Sequence, residues 1–505
     1  MPMPTIAGAV RLCAVGLATT CLWSSALPAQ TPSRPNILFV IADDLNTRIG
    51  PYVEPALSMH TPNLDRLASE GVTFTRTYSQ FPVCGPSRAS LMSGLYPERN
   101  GVTTNNFETA NHRIATPALA DHPTLAGFFR AHGYFTARVS KIFHLGVPGG
   151  IERGEAGSDD PDSWDYAVNI MAPETLSAGI LETLSNGLHY GSNFARMILP
   201  DDLDATQADV LAADQAIAIL ETRAGPRPAG ATNRTRLKPD APFFLAVGFV
   251  RPHVPLIAPA RHFARYPDNR AVLPESPPGD LDDVPEAARR GANAARFDMT
   301  PAAQRQAIAA YHASISFMDE QLGRVLDALD RLRLRESTIV VFLSDHGFNL
   351  GEHASWQKLH LWEESVRVPL IVSVPGTRQA GARTGVIAEL IDLYPTLASL
   401  GGLRSQAPTI LQGHDLGPWL ESPGGDAPVR AAYTITDRNG ASVRTERWRY
   451  TRWGADVTID NEELYDHETD PFEFTNLARI DAYRDELTRL RTIFDEARRR
   501  ARGTR

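Results

Sequence analysis

In Asn36-Ile-Leu-Phe-Val-Ile41, an unbroken apolar run follows the asparagine. A run of this length without polar alternation is the pattern of a strand buried on both faces. Similar segments recur at Tyr134–Val139, Phe243–Val250, Thr338–Leu343 and Pro369–Val374. Between them the pattern turns helical. Pro62–Glu70 follows Thr61 as a candidate N-cap and stops at Gly71, and Thr124–His132 stops at Gly133. The longest helix is expected from about Pro301 to Leu332, where Ile308, Tyr311, Ile315, Met318, Leu322, Val325 and Leu329 share one face. Strands alternating with helices predict an α/β fold, a large sheet with helices on both sides. Gly146–Asp162 and Asp268–Ala295, rich in Gly, Pro and Asp, are expected as long functional loops.

Three regions are expected along the 505 residues. Residues 1–29 form a signal peptide, with Arg11, an apolar Leu12–Trp23 and a cleavage site near Ala26-Leu-Pro-Ala29. Residues 30–430 form the catalytic domain. Residues 431–505 form a small α+β subdomain of short strands ending in a charged helix, Asp481–Arg499. No later segment is apolar enough to span a bilayer. The mature chain is therefore expected to be exported, to the periplasm or the extracellular space. Of Cys13, Cys21 and Cys84 only the last survives cleavage, so an internal disulfide is excluded. The single glycosylation sequon is at Asn233.

With 50 Lys+Arg against 59 Asp+Glu, the net charge of −9 leaves no basic surplus for holding nucleic acid. Only Lys141, Lys238 and Lys358 are lysines, so the other 47 of the 50 basic residues are arginine. Lysine kept in such a background suggests a need for a compact ammonium. Lys238, beside Pro239, reads as an exposed loop residue.

The chemistry collects behind the strands. Asp43-Asp44, Lys141 with His144, His253, and Asp345-His346 each follow one. Ligands of open α/β sheets bind at the carboxyl ends of strands, so these groups are expected to converge. Three carboxylates in one place repel unless a cation joins them, and a hard divalent ion, Ca²⁺ or less readily Mg²⁺, suits oxygen donors. Cys84 lies in Pro82-Val-Cys-Gly-Pro-Ser-Arg88. A helix starting near Pro86 would point its electropositive end at the thiol.

Cys84-Gly-Pro-Ser-Arg-Ala-Ser-Leu-Met-Ser-Gly94 resembles the signature of the type I sulfatases, in which the cysteine is oxidised to formylglycine; Ser93 stands where threonine is commoner. The resemblance extends to Lys141-Ile-Phe-His144, Arg251-Pro-His-Val-Pro255, Ser344-Asp-His-Gly347, Gly351-Glu-His353, Lys358, Arg367-Val-Pro-Leu370 and Leu464-Tyr-Asp466. It is similar above all to the iduronate-2-sulfatase group. The resemblance implies an alkaline-phosphatase-like fold and a Ca²⁺ held by Asp43, Asp44, Asp345, His346 and the modified Cys84. It further implies that Arg88, Lys141 and Lys358 offset sulfate charge, that His144 takes a proton from the hydrated aldehyde, and that His253 protonates the leaving sugar oxygen. A maturation enzyme, formylglycine-generating or anaerobic, is implied as a partner. The expected substrate is a sulfated oligosaccharide, attacked by exo-acting removal of a 2-O-sulfate from a uronic acid. A phosphate or phosphonate monoester hydrolase of the same superfamily is the alternative, with a non-catalytic exported glycan-binding protein behind it. Arg99, Asn105 and Asn106 are weaker candidates for touching the sugar, and Trp356, His360 and Trp362 for walling the pocket.

Overall fold

The computed structural model describes residues 1–2, 34–53, 59–106, 108–187, 189–224, 241–425 and 430–504. The expected signal segment, Lys238 and the Asn233 sequon lie almost wholly or wholly outside them. Pro35–Arg505 forms one packed unit.

The main sheet has eight strands: β1 (Asn36–Asp43), β2 (Val72–Tyr78), β3 (Phe135–Ser140), β4 (Tyr166–Val168), β5 (Phe243–Pro252), β6 (Thr338–Ser344), β7 (Arg367–Ser373) and β8 (Ala382–Glu389). Their order is β8-β2-β7-β6-β1-β5-β3-β4. All neighbours pair in parallel except at β7, which runs antiparallel to both β6 and β2. β2, β4 and β8 are additions to the predicted set. β4 is only three residues long, and the sequences of β2 and β8, VTFTRTY and ARTGVIAE, interleave polar and apolar residues because they lie toward the sheet edge.

The pleat of β1 sorts its side chains between two cores. Leu38, Val40 and Ala42 join one apolar cluster, and Ile37, Phe39 and Ile41 the other. The first core is closed by Pro301–Arg331, a 31-residue helix whose N-cap Thr300 accepts from the Ala303 amide. The second is closed by Leu125–Ala131 and Leu393–Leu400, among others. This mixed sheet covered by helices is the expected alkaline-phosphatase-like architecture.

At the C-terminal end, four antiparallel strands between Ala432 and Asp466 carry the helix Arg484–Arg502 on a core of Tyr433, Val443, Tyr450, Leu464, Leu490 and Phe494. Among the described residues no helix is long and apolar enough to cross a membrane.

Thr61 is the N-cap residue of the helix Pro62–Glu70, as expected, but its side chain makes no capping bond. The amides of Asn63 and Leu64 donate instead to the buried carboxylate of Asp319, on the long helix, at 3.0 and 2.8 Å.

Candidate active site

Register brings the site together. Ala42 of β1 lies level with Ser344 of β6, Asp43 with Pro252 of β5, and Ser140 of β3 with Gly248. Asp43-Asp44, Asp345-His346, His253 and Lys141 therefore leave the sheet at one edge. The reversed direction of β7 adds Lys358. The chain reaches that strand at its amino end, which lies at the carboxyl edge of β6. Cys84 opens the helix Cys84–Ser93 as its first residue, two positions before the expected start.

The residues singled out meet in a buried cluster. Arg88 donates from Nε to Asp345 Oδ2 at 2.8 Å and from Nη2 to Asp43 Oδ1 at 3.1 Å. Its Nη1 reaches the carbonyls of Lys141 and Ile142 at 2.5 and 3.1 Å. All three nitrogens are thus committed, and the side chain is fully buried. Lys141 Nζ sits 2.5 Å from Asp43 Oδ2. Lys358 Nζ sits 2.6 Å from Asp44 Oδ1 and 3.1 Å from Cys84 Sγ. His346 Nε2 lies 3.4 Å from the same sulfur. His253 Nε2 lies 3.8 Å from Asp44 Oδ2. The Lys358 side chain is 13% exposed and that of His253 8%, while those of Arg88, Lys141 and Asp43 are 0%, so the cluster opens toward Lys358 and His253.

The charges are strongly coupled. Burial and the neighbouring Cys84 oppose ionisation of Asp43, but Lys141 and Arg88 overcome both and hold its carboxyl below the usual range. Burial raises Asp345 to about 6 against the pull of Arg88. Burial also resists a thiolate at Cys84, yet Lys358 and Lys141 push that thiol well below its ordinary value. Burial lowers His144, with a hydrogen bond to Cys84 acting the other way, so its imidazole is neutral near pH 7.

The donor set fits a divalent cation. His346 Nδ1 lies 2.8 Å from the Gly347 carbonyl, an acceptor, so Nδ1 carries the proton. Nε2 then faces Asp44 Oδ1 at 3.2 Å and Asp345 Oδ1 at 3.7 Å; against burial, Asp345 and its neighbours raise the imidazole to about 9, so Nε2 sits where either a proton or a bound cation is favoured between it and the carboxylates. Asp44 Oδ2 is buried and accepts no hydrogen bond. Metal-compatible sets here comprise Asp43, Cys84, Asp345 and His346, and Asp43, Asp44, Cys84 and His253. Three carboxylates face Arg88, Lys141 and Lys358, a formal balance that a divalent ion would turn positive, as an anionic ester requires.

The weaker candidates divide. Asn105 accepts from the Gly85 amide at 2.7 Å, next to Cys84. Arg99 lies instead against Gly503, past the C-terminal helix. Trp356 is core, edge-on to Phe194 with ring centres 5.2 Å apart. Trp362 stacks between His353 and His360. Sequence reasoning passed over three supports. Ser87 Oγ donates to the Asp345 carbonyl. A Cβ at Gly248 would lie 2.1 Å from the Lys141 carbonyl oxygen. Arg438, from the C-terminal sheet region, donates at 2.6 Å to the carbonyl of Leu359, next to Lys358. All three join residues distant in sequence.

A buried nucleophile position on a helix end, ringed by carboxylates, imidazoles and ammoniums at the carboxyl edge of an α/β sheet, defines a metal-compatible hydrolase centre for anionic esters. Comparison with known proteins makes this specific. The sulfatase family model matches residues 35–403, and a second, described as N-sulphoglucosamine sulphohydrolase, C-terminal, matches 351–500. A sulfatase of Formosa agariphila is 31% identical over 473 residues, covering 91% of this chain and 86% of its own. Iduronate 2-sulfatase of Mus musculus is 30% identical, covering 88% and 90%. A solved phosphonate monoester hydrolase from Silicibacter pomeroyi superposes with a TM-score of 0.72 at 23% identity, covering 93% and 96%. A 2-O GAG sulfatase structure gives 0.66 at 24% identity, with 93% of each chain covered. The chain belongs to the sulfatase family and is an enzyme acting on sulfate esters.

Proposed function

We propose that this chain removes a 2-O-sulfate from a uronic acid of a sulfated oligosaccharide, acting from the chain end, with Cys84 matured to formylglycine by a partner enzyme. The observation that carries the reading is the environment of residue 84. Lys358 lies at 3.1 Å, His346 at 3.4 Å and Asp44 Oδ1 at 3.8 Å from its sulfur, on a helix end. Likeness to iduronate 2-sulfatase supports the sugar position. The N-terminal apolar segment supports export to the periplasm or beyond. Residues 30–430 serve as the catalytic domain and 431–505 as a subdomain bracing it.

Asp43, Asp44, Asp345 and His346, with residue 84, are the groups that would hold a Ca²⁺. Such an ion would supply positive charge against the sulfate oxygens and the nucleophile. The chain's own residues do the rest. A hydrated aldehyde at residue 84 would supply one hydroxyl, as its alkoxide, to attack sulfur as the bond from sulfur to the sugar oxygen breaks. Lys358, at the mouth, holds the sulfate in line. His253 Nδ1 donates a hydrogen bond to the Val254 carbonyl at 2.6 Å, which turns Nε2 toward the site and Asp44; in the doubly protonated ring the Nε2 hydrogen is the one passed to the departing sugar oxygen. His144, neutral near pH 7, takes the proton of the second hydroxyl. Loss of that proton would let the carbon–oxygen bond to sulfate break and the aldehyde re-form, so that water need not attack sulfur. Arg88, with every nitrogen committed to Asp43, Asp345 and two carbonyls, orders the carboxylates instead of meeting the ester.

A panel of disaccharides sulfated at defined positions, run beside Cys84→Ser, tests the reading. Release of sulfate from a 2-O-sulfated uronic acid at least tenfold faster than from other positions supports it; preference for a hexosamine 6-sulfate overturns the specificity. Phosphonate monoester hydrolysis is the second reading, favoured by the superposition with the Silicibacter enzyme. A matched pair of aryl sulfate and aryl phosphonate esters separates the two by kcat/KM.

A further inference from the structure

We propose that Tyr311 is a positioning residue for the cation site, fixing the backbone of Asp44 from the long helix; this rests on the cation reading given above. Tyr311 is fully buried. Its hydroxyl donates to the Asp44 carbonyl at 2.7 Å and accepts from the Asn46 amide at 2.9 Å. One oxygen thus bridges both sides of the turn that carries Asp44. That turn is held in an unusual state. Asp44 has φ of 64°, in the left-handed region that side-chain-bearing residues seldom adopt. Such a conformation persists only where its surroundings over-determine it.

The bridge is one side of a closed ring. The Asn46 side chain donates to the Phe348 carbonyl at 3.1 Å. The Phe348 ring stacks on Tyr311, centres 5.2 Å apart and planes 9° from parallel. The Asp44 amide donates to Asp345 Oδ1 at 3.2 Å, and the Leu45 amide to Ser344 Oγ at 2.9 Å. The loops after β1 and β6, which bring Asp44, Asp345 and His346, are therefore joined to each other and, through Tyr311, to the helix Pro301–Arg331. The Asp44 side chain that this turn presents reaches Lys358, His346 and Cys84. Without the hydroxyl, a buried carbonyl and a buried amide lose their partner together. The left-handed turn can then relax and rotate the carboxylate out of line.

The molecule provides a matched control. Tyr52 lies in the same core, and its hydroxyl donates to the Leu370 carbonyl at 2.9 Å and accepts from the Leu370 amide at 2.7 Å. It performs the same kind of backbone bridging on β7, at a residue outside the cluster. Tyr311→Phe and Tyr52→Phe thus remove equivalent bonds, and only the first touches Asp44. The test is Ca²⁺ titration by isothermal calorimetry of the chelator-stripped full chain, with a melting curve for each variant. Both variants are expected to melt lower than wild type by similar amounts. Tyr311→Phe should weaken Ca²⁺ binding at least tenfold, and Tyr52→Phe less than twofold. Equal Ca²⁺ affinity in Tyr311→Phe and wild type, or equal weakening in both variants, overturns the inference. If Tyr311→Phe does not fold, Asn46→Ala opens the same ring at the Phe348 carbonyl. A threefold or greater loss of affinity there supports the proposal, and an unchanged affinity overturns it. Wild-type protein that takes up neither Ca²⁺ nor Mg²⁺ defeats the cation reading itself, and the role of Tyr311 with it.

Discussion

Lys358 Nζ lies 3.1 Å from Cys84 Sγ, although 274 residues separate them in the chain. The same ammonium lies 2.6 Å from Asp44 Oδ1, so one cation ties the nucleophile position to the carboxylate cluster. Lys358→Ala should lower kcat/KM for an aryl sulfate by 10²–10³-fold. In protein that still carries the thiol, the sign is set by the depressed thiol. Alkylation of Cys84 should reach its plateau below the ordinary thiol range of about 8.5 in the wild type. In Lys358→Ala the plateau should move to higher pH. An unmoved alkylation profile would remove Lys358 from the neighbourhood of the nucleophile.

Lys141 is enclosed more tightly. Its ammonium is fully buried against Asp43, and its carbonyl accepts from Arg88. A guanidinium is broader than an ammonium and cannot take that place without displacing Asp43. Lys141→Arg should therefore reduce kcat at least a hundredfold despite retaining the charge, with a far-ultraviolet circular dichroism spectrum like that of the wild type. Wild-type turnover would show that charge alone suffices there.

Gly248 makes room for the same residue. A Cβ would stand 2.1 Å from the Lys141 carbonyl oxygen and 2.5 Å from its carbon, both backbone atoms that cannot swing aside. Gly248→Ala should destabilise the chain by about 3 kcal/mol or more, as overpacked or strained core changes do. A melting temperature within one or two degrees of wild type would contradict the close approach.

His353 gives a pH dependence of stability. Burial disfavours its charged form, but the hydrogen bond to Asp280 prevails and raises it to about 9. Because the folded value exceeds the ordinary value of about 6.5, charging His353 stabilises the fold fully below pH 6.5. That contribution, at most about 3 kcal/mol, is lost as the pH rises through 9. Urea midpoints of wild type and His353→Gln should differ at pH 6 and converge above pH 9. A gap independent of pH would mean that His353 is neutral in the folded protein.

Much of this was legible in the sequence for a physical reason. Strands buried on both faces are continuous apolar runs, so Ile41 and Leu343 mark where the sheet ends, and the polar residues after them stand at its edge. β2 and β8 escaped because Thr73, Thr75 and Arg76, and Arg383 and Thr384, break the run toward the sheet edge. The reversal of β7 has no local signature, so composition and periodicity alone could not place Lys358 beside Cys84. From its charge Arg88 is expected to face the ester; the four hydrogen bonds that engage it lie between residues distant in sequence, so composition and spacing could not show them. Tyr311 read as a core residue, which its ring is; the partner of its hydroxyl lies 267 residues away.

The most direct measurement is peptide mass spectrometry of fully active enzyme across Cys84, paired with sulfate release by the same sample. Residue 84 should have lost its sulfur and carry an aldehyde, in a fraction that rises in proportion to specific activity across preparations. Full turnover by protein whose residue 84 keeps an intact thiol would contradict the account.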